Sequence, residues 1–292
     1  MNYKKIVLLI SLGIVFVFIV IVGSNRFYTI DDEIKQKIKE EQIEREERKE
    51  KEQILRKKIE DLKYPLLVFT FDDGASSDYE IVYPMFREKG IKGTSFVVGN
   101  WINKDGFMNI EQIKEMLNGG WDIQGHTLEH KRLKELKSDE VVEQVIKNNE
   151  RFKELGLPEP KHLALPYGQI NEKDRSLLAE YRKTIRNVSS TSSGRTNNWE
   201  SIDFTSLNSV NIDTTDVDRI KEDIDFAIET NSIIILFGHR IGEDDYQTPL
   251  NTLKEITDYI IEKNIETVTI SEMYDRVIDF QDKVKQLEHT VQ

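Results

Sequence analysis

From Leu66 onward the chain alternates short apolar runs with longer amphipathic stretches, and this rhythm restricts its fold more than any other feature. The apolar runs predict strands over Leu66–Phe71, Gly93–Val98, Asp122–Gln124, His162–Leu165, Thr184–Val188, Ser206–Ile212, Ile233–Phe237 and Thr267–Thr269. Between them, apolar residues recur at helical spacing over Tyr79–Lys89, Asn109–Asn118, Ser138–Leu155, Glu172–Tyr181, Asp216–Thr230, Pro249–Lys263 and Ser271–Lys285. Asn109-Ile-Glu-Gln and Ser271-Glu-Met-Tyr read as helix starts. Connections this long rule out hairpins, so the strands run parallel with helices packed outside them. Seven or eight such units predict an α/β fold in which the sheet closes, or nearly closes, into a barrel.

The chain before the barrel is of a different texture. Lys4 and Lys5 lead into an apolar run from Ile6 to Val22, interrupted by Ser11 and Gly13. A run of 17 residues is at the lower limit for a helix crossing a bilayer core of about 30 Å. The two lysines predict a cytoplasmic N-terminus with the rest of the chain outside. Residues 1–25 are therefore expected to be a transmembrane signal anchor or, since Val20-Ile21-Val22-Gly23 half meets the cleavage pattern, a removed signal peptide. The anchor is favoured. Residues 26–63, rich in Glu, Lys and Arg without Pro or Gly, predict a charged helical stalk. Its apolar residues are too sparse for a sustained heptad seam, so a solvated single helix roughly 50 Å long is expected. Tyr64-Pro65 ends it. The main domain is expected over 64–280, with a polar tail at 281–292.

The formal charge is −12, and the first thirty residues hold three basic side chains and no acid, so the negative charge lies beyond residue 30. A domain that acidic has no face for phosphates, which excludes a nucleic-acid partner. The chain has no cysteine, which removes disulfides, thiolate metal sites and a lipidated thiol. Nothing in the sequence implies a protein partner.

In a parallel barrel, reactive groups stand at the C-terminal ends of strands. Three predicted ends carry suitable ones. Thr70-Phe71-Asp72-Asp73-Gly74 places two carboxylates at a glycine turn, where adjacent side chains diverge and can serve separate tasks. His126-Thr127-Leu128-Glu129-His130 spaces two imidazoles four apart, on one side of a helical turn, within reach of one metal ion. His239 closes the run Ile233–Phe237 beyond Gly238, a position suited to proton transfer near neutral pH. His162 precedes its strand and so falls at the opposite end of the barrel, and His289 lies in the tail. One carboxylate with two histidines is a common catalytic zinc ligand set, and cobalt, nickel or manganese accept the same donors.

These motifs, with Leu165-Pro166-Tyr167-Gly168 and Leu236-Phe237-Gly238-His239, resemble the NodB-homology polysaccharide deacetylases, carbohydrate esterase family 4, over residues 66–275. The resemblance implies a distorted (β/α) barrel that hydrolyses N-acetyl groups of a cell-envelope or extracellular polysaccharide, such as peptidoglycan, poly-N-acetylglucosamine or a chitin-like glycan. An O-acetyl esterase and a weakly catalytic, membrane-tethered glycan-binding protein are the alternatives. It also implies roles: Asp72 as base, Asp73, His126 and His130 as metal ligands, the backbone N–H of Tyr167 at the oxyanion, and His239 as acid. The third motif of the family commonly carries an arginine that orients the base, and here Ala164 stands at that place. Arg186 and Arg240 are candidate substitutes. For the family's Asp behind the catalytic His, together with its aromatic neighbour, the candidates are Trp199, Asp203 and the Asn208–Asn211 region.

Overall fold

The computed structural model describes residues 6–11, 14–19, 27–188, 195–244 and 247–291. They form two units, one reaching to Lys58 and one from Ile59 onward.

In the first unit, Ile6–Ser11 (β1) and Ile14–Ile19 (β2) pair antiparallel, with Ile6 opposite Ile19 and Ser11 opposite Ile14. The single helix expected over Ile6–Val22 is thus replaced, over its described part, by a hairpin. The run is dominated by Ile, Val and Phe, which favour strands, and it is broken at Gly13. No helix among the described residues is long and apolar enough to cross a membrane. Phe27–Glu60 (α1) is the expected charged helix, and its side chains from Ile34 to Ile54 are exposed, as the missing heptad seam dictates.

The second unit carries the alternation read from the sequence. Leu66–Asp73 (β3), Gly93–Val97 (β4), Asp122–Gly125 (β5), His162–Ala164 (β6) and Thr184–Arg186 (β7) pair in that order, all parallel. The opposite edge of β3 pairs with Ile233–Gly238 (β10). Thr196–Asn197 (β8) pairs antiparallel with the start of β10, and Val210–Asn211 (β9) pairs parallel with its end. Glu266–Val268 (β11) pairs parallel with the beginning of β3. The helices between are Tyr83–Lys89 (α2), Ile110–Asn118 (α3), Ser138–Glu154 (α4), Glu172–Leu178 (α5), Val217–Glu229 (α6), Leu250–Glu262 (α7) and Ile270–Val291 (α8). The segment expected as a polar tail from 281 continues α8.

One stretch of chain joins the two edges of the sheet. Ile185 donates to Phe204 O at 2.8 Å, and Leu207 donates to Ile185 O at 2.9 Å, along β7. Three residues later the same stretch is β9, hydrogen-bonded along β10, and Ile212 donates to Phe237 O at 2.9 Å. The barrel is therefore closed by a crossing segment rather than by a full strand ladder, which is the distortion the fold carries.

Strand periodicity sorts the core. Along β3, Leu67, Phe69 and Phe71 pack with Val82, Phe86, Ile113, Met116 and Trp121 under the outer helices. Leu66 and Val68 face the other way, into a cluster with Phe96, Ala164, Leu207, Ile233 and Ile235, shut off by Ile270, Met273, Val277 and Phe280 of α8. Each such side chain contributes roughly 1.5–3 kcal/mol by leaving water. The two-residue period sends Thr70 and Asp72 to the same side as Leu66 and Val68. Local signals agree: Asn109 and Gln112 form the reciprocal cap of α3. At α8 the cap lies two residues earlier than Ser271, where Thr269 Oγ1 accepts from Glu272 N and Glu272 Oε2 from Thr269 N.

Candidate active site

The two carboxylates at the end of β3 do diverge. Asp72 is buried and its Oδ2 is ion-paired with Nη2 of Arg186, itself buried at the end of β7. The guanidinium also lies 4.5 Å from the Phe237 ring centroid and donates to Ser209 Oγ at 3.3 Å. Burial alone would raise the Asp72 pKa, but the charge of Arg186, helped by His239, holds it below the usual carboxylate value. Of the two candidate arginines, Arg186 is the one that reaches Asp72. Arg240 is exposed and donates instead to Gly106 O at 2.8 Å.

Asp73 turns away in a left-handed conformation, φ 74°, followed by Gly74 at φ 76°. Its Oδ1 stands 3.5 Å from His126 Nε2 and 3.4 Å from His130 Nε2. Donor atoms of the three residues lie within 4.8 Å of one another, the one such cluster among the described residues. His126 is fully buried, and its Nδ1 meets Ala164 O at 2.8 Å. A carbonyl only accepts, so Nδ1 carries the proton and Nε2 presents its lone pair to the carboxylate. Lone pairs facing each other at this distance repel unless a cation sits between them, and Asp73 Oδ1 is buried with no hydrogen-bond partner. Burial lowers His126 to about 3 and His130 to about 4, so both rings are neutral ligands at pH 7. Burial, then the neighbouring Asp72, raises Asp73 to about 6, a cost that a bound cation would remove. The donor set fits a divalent metal with open positions.

The approach of the two histidines differs from the helical turn expected. Residues 126–130 form a loop, with Thr127 at φ 66° and His130 at φ 58°. Thr127 holds the loop by accepting from His130 N at its Oγ1 (3.1 Å) and from Gly99 N at its carbonyl (3.1 Å). Tyr167 is also left-handed, at φ 58°. Among the described residues the other non-glycine positive-φ positions are Asn103, Asn231 and Asn264, the residue type that tolerates this region. Strain the sequence does not favour is thus concentrated at Asp73, Thr127, His130 and Tyr167.

His239 follows β10. Its Nδ1 meets Asp213 Oδ2 at 2.6 Å, and its backbone N–H donates to Asp213 Oδ1 at 3.1 Å. Thr248 Oγ1 donates to the same Oδ1 at 2.5 Å. Burial opposes charging of the ring, but the Asp213 hydrogen bond and the carboxylates of Asp72, Asp213 and Asp73 outweigh it and raise His239 to about 9.

Asp213 was not among the sequence candidates. Asp203 caps its own turn through Thr205 N and Oγ1, and Trp199 packs between Tyr64 and Phe280 with Nε1 donating to Tyr64 O. The Asn208–Asn211 region comes nearer: Asn211 Oδ1 accepts from Asp213 N at 2.8 Å. A signal for it exists, because Asp213 is the residue directly after the predicted strand Ser206–Ile212. Trp121 is core, whereas Trp101 lies 5.1 Å from the His130 ring. Tyr167, 48 % exposed, lies 4.7 Å from that ring on another side. His162 is buried at the start of β6 against Thr184, away from these groups.

Residues 60–185 match the profile of the family described as Polysaccharide deacetylase. The chain is 33 % identical over 107 residues to the peptidoglycan-N-acetylglucosamine deacetylase of Bacillus cereus, covering 36 % of this chain and 38 % of that protein. It thus spans less than two fifths of the length of the curated relatives it first matches. Among solved structures it resembles the Bc1960 peptidoglycan N-acetylglucosamine deacetylase, at TM-score 0.51 and 22 % identity over 73 % of this chain and 89 % of that one. It also resembles BA3943, a family pseudoenzyme of Bacillus anthracis, at TM-score 0.52 and 16 % identity over 73 % of this chain and 66 % of that one. The profile match over residues 60–185, the shared fold and the Asp–His–His cluster at the strand ends make the domain that comes after the charged helix similar to the polysaccharide deacetylases.

Proposed function

We propose that this protein is a metal-dependent deacetylase that hydrolyses N-acetyl groups of a cell-envelope or extracellular polysaccharide. The observation that carries the reading is the pairing of two ionisable groups, Asp72 held as a carboxylate by Arg186 and His239 held as a cation by Asp213, beside one metal-ligand cluster. Environments that push two groups toward opposite charge states assign a base and an acid.

Asp73, His126 and His130 would hold the metal, zinc fitting the donors best and cobalt, nickel or manganese being accepted by them. When bound, such an ion supplies Lewis acidity to the acyl oxygen and acidifies water. Asp72 is ionised at neutral pH and takes the proton of the attacking water. Tyr167 offers its backbone N–H to the oxygen that gains charge. His239, protonated below about pH 9, delivers a proton to the departing nitrogen, and Asp213 fixes its ring so that Nε2 is the donating atom. Arg186 takes the part that the family gives to an arginine at the place of Ala164.

A binding-only protein was the reading favoured by an unpartnered base. Arg186 removes that support, although the likeness to a pseudoenzyme keeps turnover as the deciding measurement. We also propose that Lys4, Lys5 and the apolar run after them deliver the domain outside the cytoplasm and tether it there. Protease accessibility in intact cells with membrane fractionation tests this, and a soluble cytoplasmic chain overturns it.

The deciding experiment for the activity is acetate release by the full chain from N-acetylated oligosaccharides, with and without chelator. Chelator-sensitive release is expected. Release from O-acetylated xylan alone would make the protein an esterase, and no release from any acetylated glycan would leave it a binding protein.

A further inference from the structure

A series of ring and cation contacts runs through His130 of the metal-ligand cluster. Arg132 lies with its guanidinium carbon 3.9 Å above the Tyr167 ring, and Tyr167 lies 4.7 Å from His130. His130 also meets Trp101 at 5.1 Å, Phe107 lies 4.7 Å from Trp101, and the Arg240 guanidinium 5.7 Å from Phe107. The sequence of groups is cation, ring, imidazole, ring, ring, cation.

Both arginines are exposed and braced. Arg132 is stacked on an aromatic face, and Arg240 is tied to Gly106 O at 2.8 Å. Gly106 permits this approach, because a Cβ there would stand 2.7 Å from the Arg240 Nη2. Among the described residues no carboxylate is ion-paired with either one. Among the described arginines, Arg151, Arg175, Arg186, Arg195, Arg219 and Arg276 are so paired, while Arg45, Arg48, Arg56, Arg87 and Arg182, like Arg132 and Arg240, have no carboxylate in an ion pair. What sets Arg132 and Arg240 apart is their place: their charges act on His130 and Asp73 of the cluster. Aromatic faces suit the apolar faces of sugar rings, and a fixed guanidinium suits a carboxylate in two-pronged geometry.

We propose that Arg132 and Arg240 select glycans bearing carboxylates on the sugars that flank the N-acetyl group being removed, so that the preferred substrate is an anionic rather than a neutral polymer. This rests on the deacetylase reading above and deepens it. Arg132 and Arg240 are specificity residues, reaching the substrate at its charged substituents and leaving bond cleavage to the groups inside the barrel.

The test compares a β-1,4-linked N-acetylglucosamine tetramer with the matched tetramer carrying 3-O-lactyl carboxylates on alternate residues. Binding is measured by calorimetry and acetate release is measured separately, both on the full metal-loaded chain. Binding of the carboxylated tetramer is expected to be roughly fivefold or more tighter, with the preference shrinking at 1 M salt. The preference is expected to fall toward unity in the Arg132→Gln, Arg240→Gln double variant and to return in part in Arg132→Lys, Arg240→Lys. Equal binding of the two tetramers by the native chain, or an unchanged preference in the glutamine variant, overturns the inference. Acetate release from both tetramers at one rate with no binding preference would sink it while leaving the deacetylase reading intact. Preferential binding without acetate release would uphold it and sink that reading.

Discussion

Ala164 and Arg186 are register partners across β6 and β7, so the guanidinium that reaches Asp72 comes from the neighbouring strand at the same level of the barrel. Arg186 thus compensates the buried carboxylate of Asp72 from β7.

Arg186→Met keeps the length and removes the charge. Leaving Asp72 buried without its cation is expected to destabilise the fold by about 3 kcal/mol and to raise the Asp72 pKa. Urea unfolding measures the first effect. Acetate release should fall by two orders of magnitude or more, and full activity in a folded variant would remove Arg186 from the mechanism.

His239 is charged below about pH 9, so turnover is expected to decline as pH rises through that value. Asp213→Asn removes both the hydrogen-bonded carboxylate and one of the charges that raise the ring. The alkaline limb of the rate profile should then move to lower pH, and kcat should fall by about 10–100-fold. A limb that stays in place would show that another group governs it.

Metal occupancy and turnover should separate by residue. Asp73→Asn and His126→Gln are expected to lose tight binding of one zinc equivalent and the accompanying rise in Tm, which at a hundredfold excess over Kd corresponds to about 2.7 kcal/mol. Asp72→Asn should retain both while abolishing acetate release. Titration with zinc and subsequent thermal melts decide the matter, and equal loss in all three variants would refute the division of labour.

Asp78 is fully buried, accepts a 2.8 Å hydrogen bond from Ser95 Oγ, and has its pKa pushed well up by burial, with Asp73 and Asp72 adding to the effect. A carboxyl whose folded pKa exceeds its unfolded value lends stability at low pH that is lost as pH rises. Asp78→Asn supplies a neutral side chain of the same shape. Its unfolding free energy should vary less with pH between 5 and 8 than that of the native chain. An unchanged dependence in the variant would mean that Asp78 is ionised in the folded chain.

The barrel was legible because its signal is local: each strand is a short apolar run and each helix an amphipathic one, and register then comes from parallel pairing. The candidate site groups were legible for the same reason, since Asp73, His126 and His239 follow the ends of predicted strands. Two kinds of information were not local. Whether Arg186 or Arg240 faces Asp72 depends on which strands become neighbours, and 114 residues separate the partners that meet. Asp213 obeys the strand-end rule but lies two residues beyond the Asn208–Asn211 candidates. The left-handed turns at Thr127 and His130 go against intrinsic preference, so a pattern-based reading substitutes a helical turn for the loop that forms.

The crossing segment from Phe204 to Asn211 sutures both edges of the sheet, and Asp213 is the next residue but one after it. The stitch and the carboxylate that holds His239 are therefore one continuous piece of chain. A chain folded from β3 through β6 would already own its metal ligands, yet it would lack an oriented His239 until the barrel is sewn shut. A defect confined to this suture is therefore expected to spare Asp73, His126 and His130 while loosening His239.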